Sequence, residues 1–267
     1  MGAQAVKGGT AERSGSPLQD DREAIVRRAV ARNRAWYHTL ELPGGVLTPG
    51  EIDLRSTARK LLPADLSGKR ALDVGTFDGF WAFELERRGA EVVAIDVASV
   101  RDVPMPPNNR RRVEREADQF GVEMGLGFSI AAELRCSRVK LVRCSVLDLT
   151  PAVIGGPVDI AFMGALLIHV PDPVAALGRI REVLRPRGEL YQLEPLSIVL
   201  SLLYRHKPVA QLQTLRTPFN WWYPNWSTLR DWARTAGFTD VRRRGLYRPP
   251  QRPPMNDWFC GVRSRRP

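Results

Sequence analysis

The chain has 267 residues, of which 43% are hydrophobic and 26% are charged. This composition supports the buried core of one large domain and excludes a globally disordered chain. With 40 Lys and Arg against 29 Asp and Glu, the formal net charge is +11. Such a surface attracts anions, so nucleic acid, phosphorylated metabolites and carboxylates all stay open as ligands.

Cysteine usage and hydropathy indicate the compartment. Cys136, Cys144 and Cys260 are too few and too scattered for a disulfide framework or a zinc site. The sequence contains no apolar run of the roughly 18–20 residues that a membrane span requires. The N-terminus also lacks the apolar stretch of a signal peptide. We therefore expect a cytoplasmic protein without metal-ligating site residues and without a membrane partner, while the need for a metal ion in the reaction stays open.

The N-terminal quarter of the chain is expected to precede the main domain. Residues 1–16 are rich in Gly, Ala and Ser and lack apolar periodicity, which predicts a disordered tail. A Ser-Pro pair then suits the start of a helix that runs toward Trp36. WYHTLELPGGVLTPG follows, too apolar for a linker and too broken for a helix, and a second helix is predicted over residues 52–62. Residues 17–66 are interpreted as a helical extension that acts as a lid.

From Arg70 onward, short apolar strands alternate with helices. Strands are predicted over residues 70–75, 91–96, 139–142, 158–163, 189–193, 240–244 and 256–262, and helices over 80–88, 173–184 and 227–236. This alternation predicts an α/β fold with a mostly parallel sheet and helices on both faces. The strand over 256–262 is expected to be an antiparallel partner at the edge of the sheet.

Two insertions interrupt this pattern within a main domain that spans residues 67–267. Residues 101–138 contain prolines, an arginine run and a stretch that looks helical after Gly127. Residues 196–226, named here the cover segment, are apolar, aromatic and basic by turns. Insertions that follow the carboxyl ends of strands usually cover the ligand site of such a sheet, so we expect both to lie over the site.

The sequence LDVGTFDGF, residues 72–80, indicates a ligand site after the first main-domain strand. Gly75 ends this strand and Gly79 opens the next helix, and glycine allows a tight turn and a close approach to a ligand. Asp96 ends the second strand, roughly 20 residues after Gly75, where an acid accepts hydrogen bonds from ribose hydroxyls. Together these residues predict a nucleoside-containing ligand; taken singly, they are also compatible with turn glycines and a helix cap.

The residues between the two glycines favour one nucleoside over another. Dinucleotide sites use three glycines because a pyrophosphate sits against the helix N-terminus. Here Thr76, Phe77 and Asp78 fill the loop, and the carboxylate of Asp78 would repel a pyrophosphate. An acid at this position suits a sulfonium or an ammonium group, which favours S-adenosylmethionine (SAM) over NAD. Asp73 is expected to orient the loop.

The segment LDVGTFDGFWAFELERRGAEVVAIDV resembles the cofactor-binding core of class I SAM-dependent methyltransferases, and in particular the branch that holds the tRNA wobble-uridine carboxymethyl- and methoxy-forming enzymes. The resemblance also includes WYHTLELPGG, SVLDL, GALLIHVPDPVAAL and FNWWYPNWSTLRDWARTAGF. It implies a Rossmann-like fold with a seven-stranded, mostly parallel sheet, an antiparallel last strand and SAM as cofactor. The cofactor contacts that it implies are Asp73, Gly75, Thr76, Phe77, Asp78, Gly79, Asp96, Val97, Ser145, Val146 and Gly164.

Two positions depart from the pattern of that branch. Phe77 stands where many members have glycine, which places an aromatic ring near the methionine end of the cofactor. Ile168 stands where the wobble-uridine enzymes commonly have tyrosine before the motif histidine. The loss of that polar group favours a less polar substrate than tRNA.

Methyl transfer requires alignment and exclusion of water, and it needs a base only if the nucleophile must lose a proton. Glu194 ends the fifth strand among apolar neighbours, so desolvation would raise its pKa toward that of a useful base. The alternative is a cap for the helix that follows. His169 follows the fourth strand, where it either contacts the substrate and accepts a proton or bonds a loop carbonyl to hold the turn.

Aromatic and basic residues of the lid and the cover segment are candidate substrate contacts. They are Trp36, Tyr37, His38, Tyr204, Arg205, His206, Arg216, Trp221, Trp222 and Tyr223. An aromatic wall with a basic rim suits a planar or prenyl-like acceptor that carries an acidic group. The alternative is that these aromatic side chains pack the cover segment onto the sheet.

The favoured hypothesis is a SAM-dependent methyltransferase of specialised metabolism that acts on a small molecule at oxygen, nitrogen or carbon. The alternatives are a tRNA-modifying methyltransferase of the wobble-uridine branch, a non-catalytic SAM-binding protein and a dehydrogenase. The arginine runs over residues 110–112 and 242–244 offer possible phosphate contacts. Because arginine is abundant throughout the chain, we interpret them as solvated faces and favour a small molecule over nucleic acid.

Overall fold

The computed structural model describes residues 17–215 and 217–267. The tail predicted over residues 1–16 and the candidate substrate contact Arg216 lie outside the described residues. Within the described part of the chain, no helix is both long enough and apolar enough to cross a membrane.

The N-terminal extension contains two helices joined by a small hairpin. Its elements are α1 (Pro17–Ala31), β1 (Glu41–Leu42), β2 (Val46–Leu47) and α2 (Arg55–Leu61). The chain leaves α1 before Trp36, whose buried indole donates a hydrogen bond back to the Val30 carbonyl oxygen at 3.0 Å. α2 begins later than predicted because Ile52 forms β-bridges with His38 and Gln251.

A seven-stranded sheet lies at the centre of the main domain. The strands after α2 are β3 (Arg70–Val74), β4 (Glu91–Asp96), β5 (Lys140–Arg143), β6 (Val158–Gly164), β7 (Leu184–Leu196), β8 (Ala210–Leu212), β9 (Trp222–Pro224), β10 (Thr239–Tyr247) and β11 (Trp258–Arg265). The order in the sheet is β10-β11-β7-β6-β3-β4-β5, and β8 pairs with β9 separately. β11 is antiparallel to both β7 and β10, whereas the pairs from β7 to β5 are parallel.

This sheet order confirms the expected Rossmann-like fold with a reversed last strand. One detail was wrong: the strand predicted over residues 256–262 is not at the edge, because β11 lies between β7 and β10. The hairpin of β10 and β11 turns back, so that β10 rather than β11 forms the edge of the sheet.

Helices cover both faces of the sheet. They are α3 (Phe80–Arg87), α4 (Pro107–Phe120), α5 (Leu126–Leu134), α6 (Pro173–Val183), α7 (Ile198–Leu203) and α8 (Trp226–Thr235). Alternate residues of each strand enter two apolar clusters; Val92 and Ala94 belong to one, and Val93 and Ile95 to the other. α4 was not predicted, since Val113 is its one buried residue and an apolar stripe is lacking.

The carboxyl ends of the parallel strands β3, β4, β6 and β7 lie on the same side of the sheet. This side, which is distinct from the outermost strands, is called the sheet edge below. β3 pairs in parallel with β4 on one side and with β6 on the other, so the loops that follow these strands are neighbours. Open α/β sheets bind their ligands at such an edge. The cover segment starts at the end of β7 and therefore begins at the same edge.

Candidate active site

Two glycines shape the loop between β3 and α3. Gly75 has φ of 75° and Gly79 has φ of 90°, a left-handed backbone that side chains rarely adopt. A Cβ at Gly79 would lie 2.4 Å from Cε2 of Phe83, and one at Gly75 would lie 3.1 Å from Cδ1 of Leu166. Phe77, between them, also has a positive φ of 49°. Such strained conformations persist where a loop serves a site.

Asp96 lies beside this loop at the end of β4, as the spacing predicted. Its Oδ2 accepts a hydrogen bond from the Phe77 amide at 2.7 Å, and its Oδ1 accepts one from the Val97 amide at 2.7 Å. Burial raises the pKa of the carboxyl, and the two amides partly oppose this shift. Two carboxylate oxygens offer about four lone-pair sites, so Asp96 retains capacity for hydroxyl donors.

Asp73 is a second buried acid at this edge. It is 1% exposed, and its Oδ2 has no hydrogen-bond partner within residues 17–215 and 217–267. Burial raises the pKa of Asp73 to about 7. A hydrogen bond from the Thr76 side chain partly opposes this shift, so Asp73 contacts its own loop, and a contact with the cofactor stays a prediction.

The Asp78 carboxylate makes hydrogen bonds with the N-terminal extension of the same chain. Its Oδ2 accepts hydrogen bonds from the backbone amides of Tyr37 at 3.0 Å and His38 at 2.7 Å, and its Oδ1 lies 2.5 Å from Nδ1 of His38. The His38 ring stacks on Phe80 with a centroid distance of 5.3 Å. Sequence reasoning assigned this carboxylate to a cationic ligand, whereas the structure uses both oxygens to anchor the lid. A direct contact between Asp78 and the cofactor stays a prediction.

The N-terminal extension contacts the glycine loop, and its role as a lid stays a prediction. The Tyr37 ring meets the Phe77 ring edge to face at a centroid distance of 6.3 Å. Burial raises the pKa of Tyr37, and the charges of nearby carboxylates, with Asp257 first, add to the shift. Asp257 was missed by sequence reasoning because it lies in a proline-rich connection without a motif, between β10 and β11.

Glu194 is fully buried near the end of β7. Its Oε1 accepts hydrogen bonds from the amides of Leu166 at 3.2 Å and Leu167 at 3.3 Å, while its Oε2 has no partner in the described part of the chain. Burial raises the pKa of Glu194 to about 8. Leu166 also packs against Gly75. Leu166 therefore lies between the Glu194 carboxyl and the glycine loop. The following helix α7 is capped by Ser197 instead.

His169 connects the loop after β6 with the cover segment. Its Nδ1 lies 3.3 Å from the Phe219 carbonyl oxygen, and burial lowers the pKa of the ring. Next to it, the Trp221 amide donates a hydrogen bond to the Ile168 carbonyl oxygen at 2.7 Å. This geometry is that of a histidine that holds a loop carbonyl. A contact between His169 and the substrate stays a prediction.

The other candidate cofactor residues lie at the same edge. Ser145 follows β5, and its hydroxyl caps the 3-10 helix that begins at Val146 by accepting a hydrogen bond from Leu147 at 3.3 Å. Gly164 ends β6, where a Cβ would lie 3.1 Å from Nε1 of Trp81. The sequence-predicted cofactor residues thus lie in or beside the loops that follow neighbouring parallel strands, and their contacts with a cofactor stay a prediction.

The aromatic residues of the cover segment pack against its surroundings. Side-chain hydrogen bonds run from Trp221 Nε1 to the Pro104 carbonyl at 2.5 Å, from Trp222 Nε1 to the Pro171 carbonyl at 3.2 Å and from the Tyr223 hydroxyl to Asp257 Oδ1 at 3.4 Å. These contacts attach the cover segment to three neighbouring loops. These contacts agree with the alternative that the aromatic side chains pack the cover segment onto its surroundings, and a contact with the substrate stays a prediction.

Tyr204, Arg205 and His206 occupy a different place. They form an exposed turn after α7, and Asn225 fixes that turn by donating from Nδ2 to the Tyr204 carbonyl at 3.0 Å. An acidic group on the acceptor was expected from a basic rim that included Arg205 and His206. Their exposed position does not favour that rim.

Comparison with known proteins defines the class. Residues 52–243 match the family model described as a methyltransferase domain. This match spans well over half of the chain, which therefore belongs to the methyltransferase-domain family. The membership confirms the class expected from the sequence and overturns the dehydrogenase alternative.

Individual relatives agree with this class. The ubiquinone biosynthesis O-methyltransferase of Xylella fastidiosa (strain 9a5c) is 30% identical over 172 residues, which cover 64% of this chain and 58% of the relative. The protein of the same name from Ralstonia nicotianae (strain ATCC BAA-1114 / GMI1000) is 26% identical over 201 residues, with 70% of each covered. The chain thus matches less than two thirds of the first relative's length.

Among solved structures, the N-terminal domain of EvdMO1 with SAH bound has a TM-score of 0.55 and 20% identity. The match covers 92% of this chain and 98% of that one. At this identity the similarity supports the fold alone.

Proposed function

We propose that the chain is a SAM-dependent methyltransferase that methylates a hydroxyl oxygen of a small, largely apolar or aromatic acceptor. The observation that carries the proposal is the buried carboxyl of Glu194, whose free Oε2 lies at the cofactor edge. The name of the curated relatives supports an oxygen acceptor, and the aromatic composition of the cover segment supports an apolar one. The three cysteines have no disulfide partners, which is compatible with the cytoplasmic location that we propose.

The residues at the sheet edge fit SAM. The cradle at Gly75 allows a close backbone approach, the unpaired Oδ2 of Asp73 can accept a donor, and Asp96 would hold the ribose hydroxyls. Ser145 and Val146 would border the adenine. When bound, SAM supplies a methyl group on an already activated sulfonium, so the protein mainly aligns the acceptor and excludes water.

Glu194 would accept the proton of the acceptor hydroxyl. A base with a pKa near the working pH is the most effective, and burial brings the pKa of Glu194 to about 8. The amides of Leu166 and Leu167 fix Oε1 and thereby orient the free Oε2. Tyr37 and Tyr223 would contact the acceptor from the lid and from the cover segment.

Substitution of Glu194 tests this role. Glu194→Gln keeps an oxygen for the two loop amides and removes the base, so turnover should fall by roughly 10²- to 10⁴-fold while affinity for SAH persists. Transfer of radiolabelled methyl from SAM to a panel of phenolic and prenyl-phenolic acceptors measures turnover. His169→Ala serves as the comparison, because a residue that holds the cover segment should act more on KM than on kcat. Full turnover by Glu194→Gln would remove Glu194 as the base.

The finer resemblance to the wobble-uridine branch supplies a second candidate, a tRNA acceptor. WYHTLELPGG and FNWWYPN favour it, whereas Ile168 in place of tyrosine disfavours it. Filter binding to bulk tRNA across a salt series separates the two acceptors. Tight and steeply salt-dependent binding would support RNA, and weak binding supports the small molecule.

A further inference from the structure

The cover segment exposes an apolar helix face to solvent. Val199, Leu202 and Leu203 are 64%, 69% and 70% exposed, and their spacing places them on one side of α7. Leu200, on another side of the same helix, is 9% exposed and packs inward. Three neighbouring aliphatic side chains in water are unfavourable, so a clustered apolar face of this kind marks a contact surface.

The turn after α7 adds an aromatic ring and cations to this face. Tyr204 is 43% exposed, and the side chains of Arg205, His206 and Lys207 that follow it are exposed as well. An apolar helix face flanked by aromatic and basic residues is typical of elements that lie on an anionic lipid surface. Lys207 belongs to a residue type that is depleted from protein–protein interfaces.

Hydrogen bonds fix the backbone of this turn, whereas its side chains are exposed to solvent. The Asn225 side chain donates to the carbonyls of Tyr204 at 3.0 Å and Lys207 at 2.9 Å, and the Ser227 hydroxyl donates to the Arg205 carbonyl at 2.8 Å. Asn225 is itself fully buried. A surface whose backbone is fixed before binding loses little conformational entropy on docking.

We propose that residues 198–207 form a docking surface for an anionic lipid bilayer. Val199, Leu202 and Leu203 enter the boundary between headgroups and acyl chains, while Arg205 and Lys207 contact the lipid phosphates. Because the cover segment also borders the candidate active site, docking brings that site to the bilayer, where an apolar acceptor would concentrate.

Vesicle flotation of the full chain tests the proposal. We expect binding to vesicles of phosphatidylcholine with phosphatidylglycerol, weaker binding as salt is added and none to phosphatidylcholine alone. Leu202→Asp combined with Leu203→Asp should weaken binding about tenfold or more. Arg205→Gln and Lys207→Gln should each weaken it about fivefold.

Matched variants elsewhere separate this surface from general basicity. Ile25→Asp changes a residue of α1 that is 63% exposed, and Arg111→Gln with Arg115→Gln removes two exposed cations of α4. Both controls should bind vesicles like the wild type. An equal loss of vesicle binding in the control variants and in the variants of residues 198–207 would overturn the proposal. Absence of wild-type binding to anionic vesicles would also overturn it.

A second copy of the chain is the competing occupant of the apolar face. Sedimentation velocity without lipid distinguishes it: a wild-type dimer that the Leu202→Asp and Leu203→Asp variant dissociates would overturn the proposal. Thermal melting checks that each variant is folded. The two glutamine variants carry the test if the aspartate variant does not fold, since Arg205 and Lys207 are exposed.

Discussion

The glycine loop and the cover segment lie at the same edge of the sheet, yet they are built differently. In the loop, positive φ angles and the hydrogen bond from the Phe77 amide to the half-buried Asp96 constrain the backbone, and a Cβ at either glycine would collide or crowd. In the cover segment, α7 leaves three aliphatic side chains in solvent. The rigid loop suits a cofactor of constant shape, whereas the exposed segment suits contacts that differ between family members.

The largest expected effect tests the rigidity of the loop. Gly79→Ala should lower the free energy of unfolding by about 3 kcal/mol or more, because the new Cβ meets the Phe83 ring in a left-handed backbone. Gly121→Ala is the control: it also has a positive φ, of 61°, but nothing lies within 4 Å of its Cβ. The Gly121→Ala substitution should lower the free energy of unfolding by about 1 kcal/mol. Urea unfolding measures both, and equal losses would refute crowding at Gly79.

The next effect tests how the cover segment is held. Asn225→Ala removes the cap of α8 and the bonds to the Tyr204 and Lys207 carbonyls, so stability should fall by about 2–3 kcal/mol. Asp172→Ala removes the cap of α6 alone and should cost about 1 kcal/mol. Urea unfolding again measures both variants. Similar losses would mean that Asn225 contributes only as a cap.

A pH-dependent effect follows from the buried carboxyl between the two regions. Burial raises the pKa of Glu194 from 4.5 to about 8, so the folded chain holds a proton that the unfolded chain releases. The contribution of this protonated carboxyl to the free energy of unfolding is complete below pH 4.5 and is lost as the pH rises through 8. Across this window, the loss reaches up to about 1.4 kcal/mol per pH unit. Glu194→Gln should remove this slope, and identical pH profiles for the two chains would contradict the shift.

The seven strands of the central sheet were predictable along the chain because most of them are short apolar runs between helices or turns. α4 was not, since its surface is charged and Val113 alone is buried. Among site residues, Gly75 and Asp96 were found from spacing, because their geometry depends on adjacent strands. The partners of Asp78 are 40 and 41 residues away, so the fold of the lid decides its contacts. The turn that holds Arg205 likewise depends on Asn225 and Ser227, so the fold decides its surroundings, and a contact between Arg205 and the substrate stays a prediction.

Calorimetric titration with SAH tests most directly whether the edge after β3 and β4 holds an adenosyl cofactor. The wild type should bind SAH, and Asp96→Ala should lose about 1–3 kcal/mol of binding free energy through the ribose contact. Asp96→Asn, which can still accept the Phe77 amide, controls for collapse of the loop. A wild-type chain that binds no SAH, or an Asp96→Ala chain that binds it equally well, would contradict the assignment.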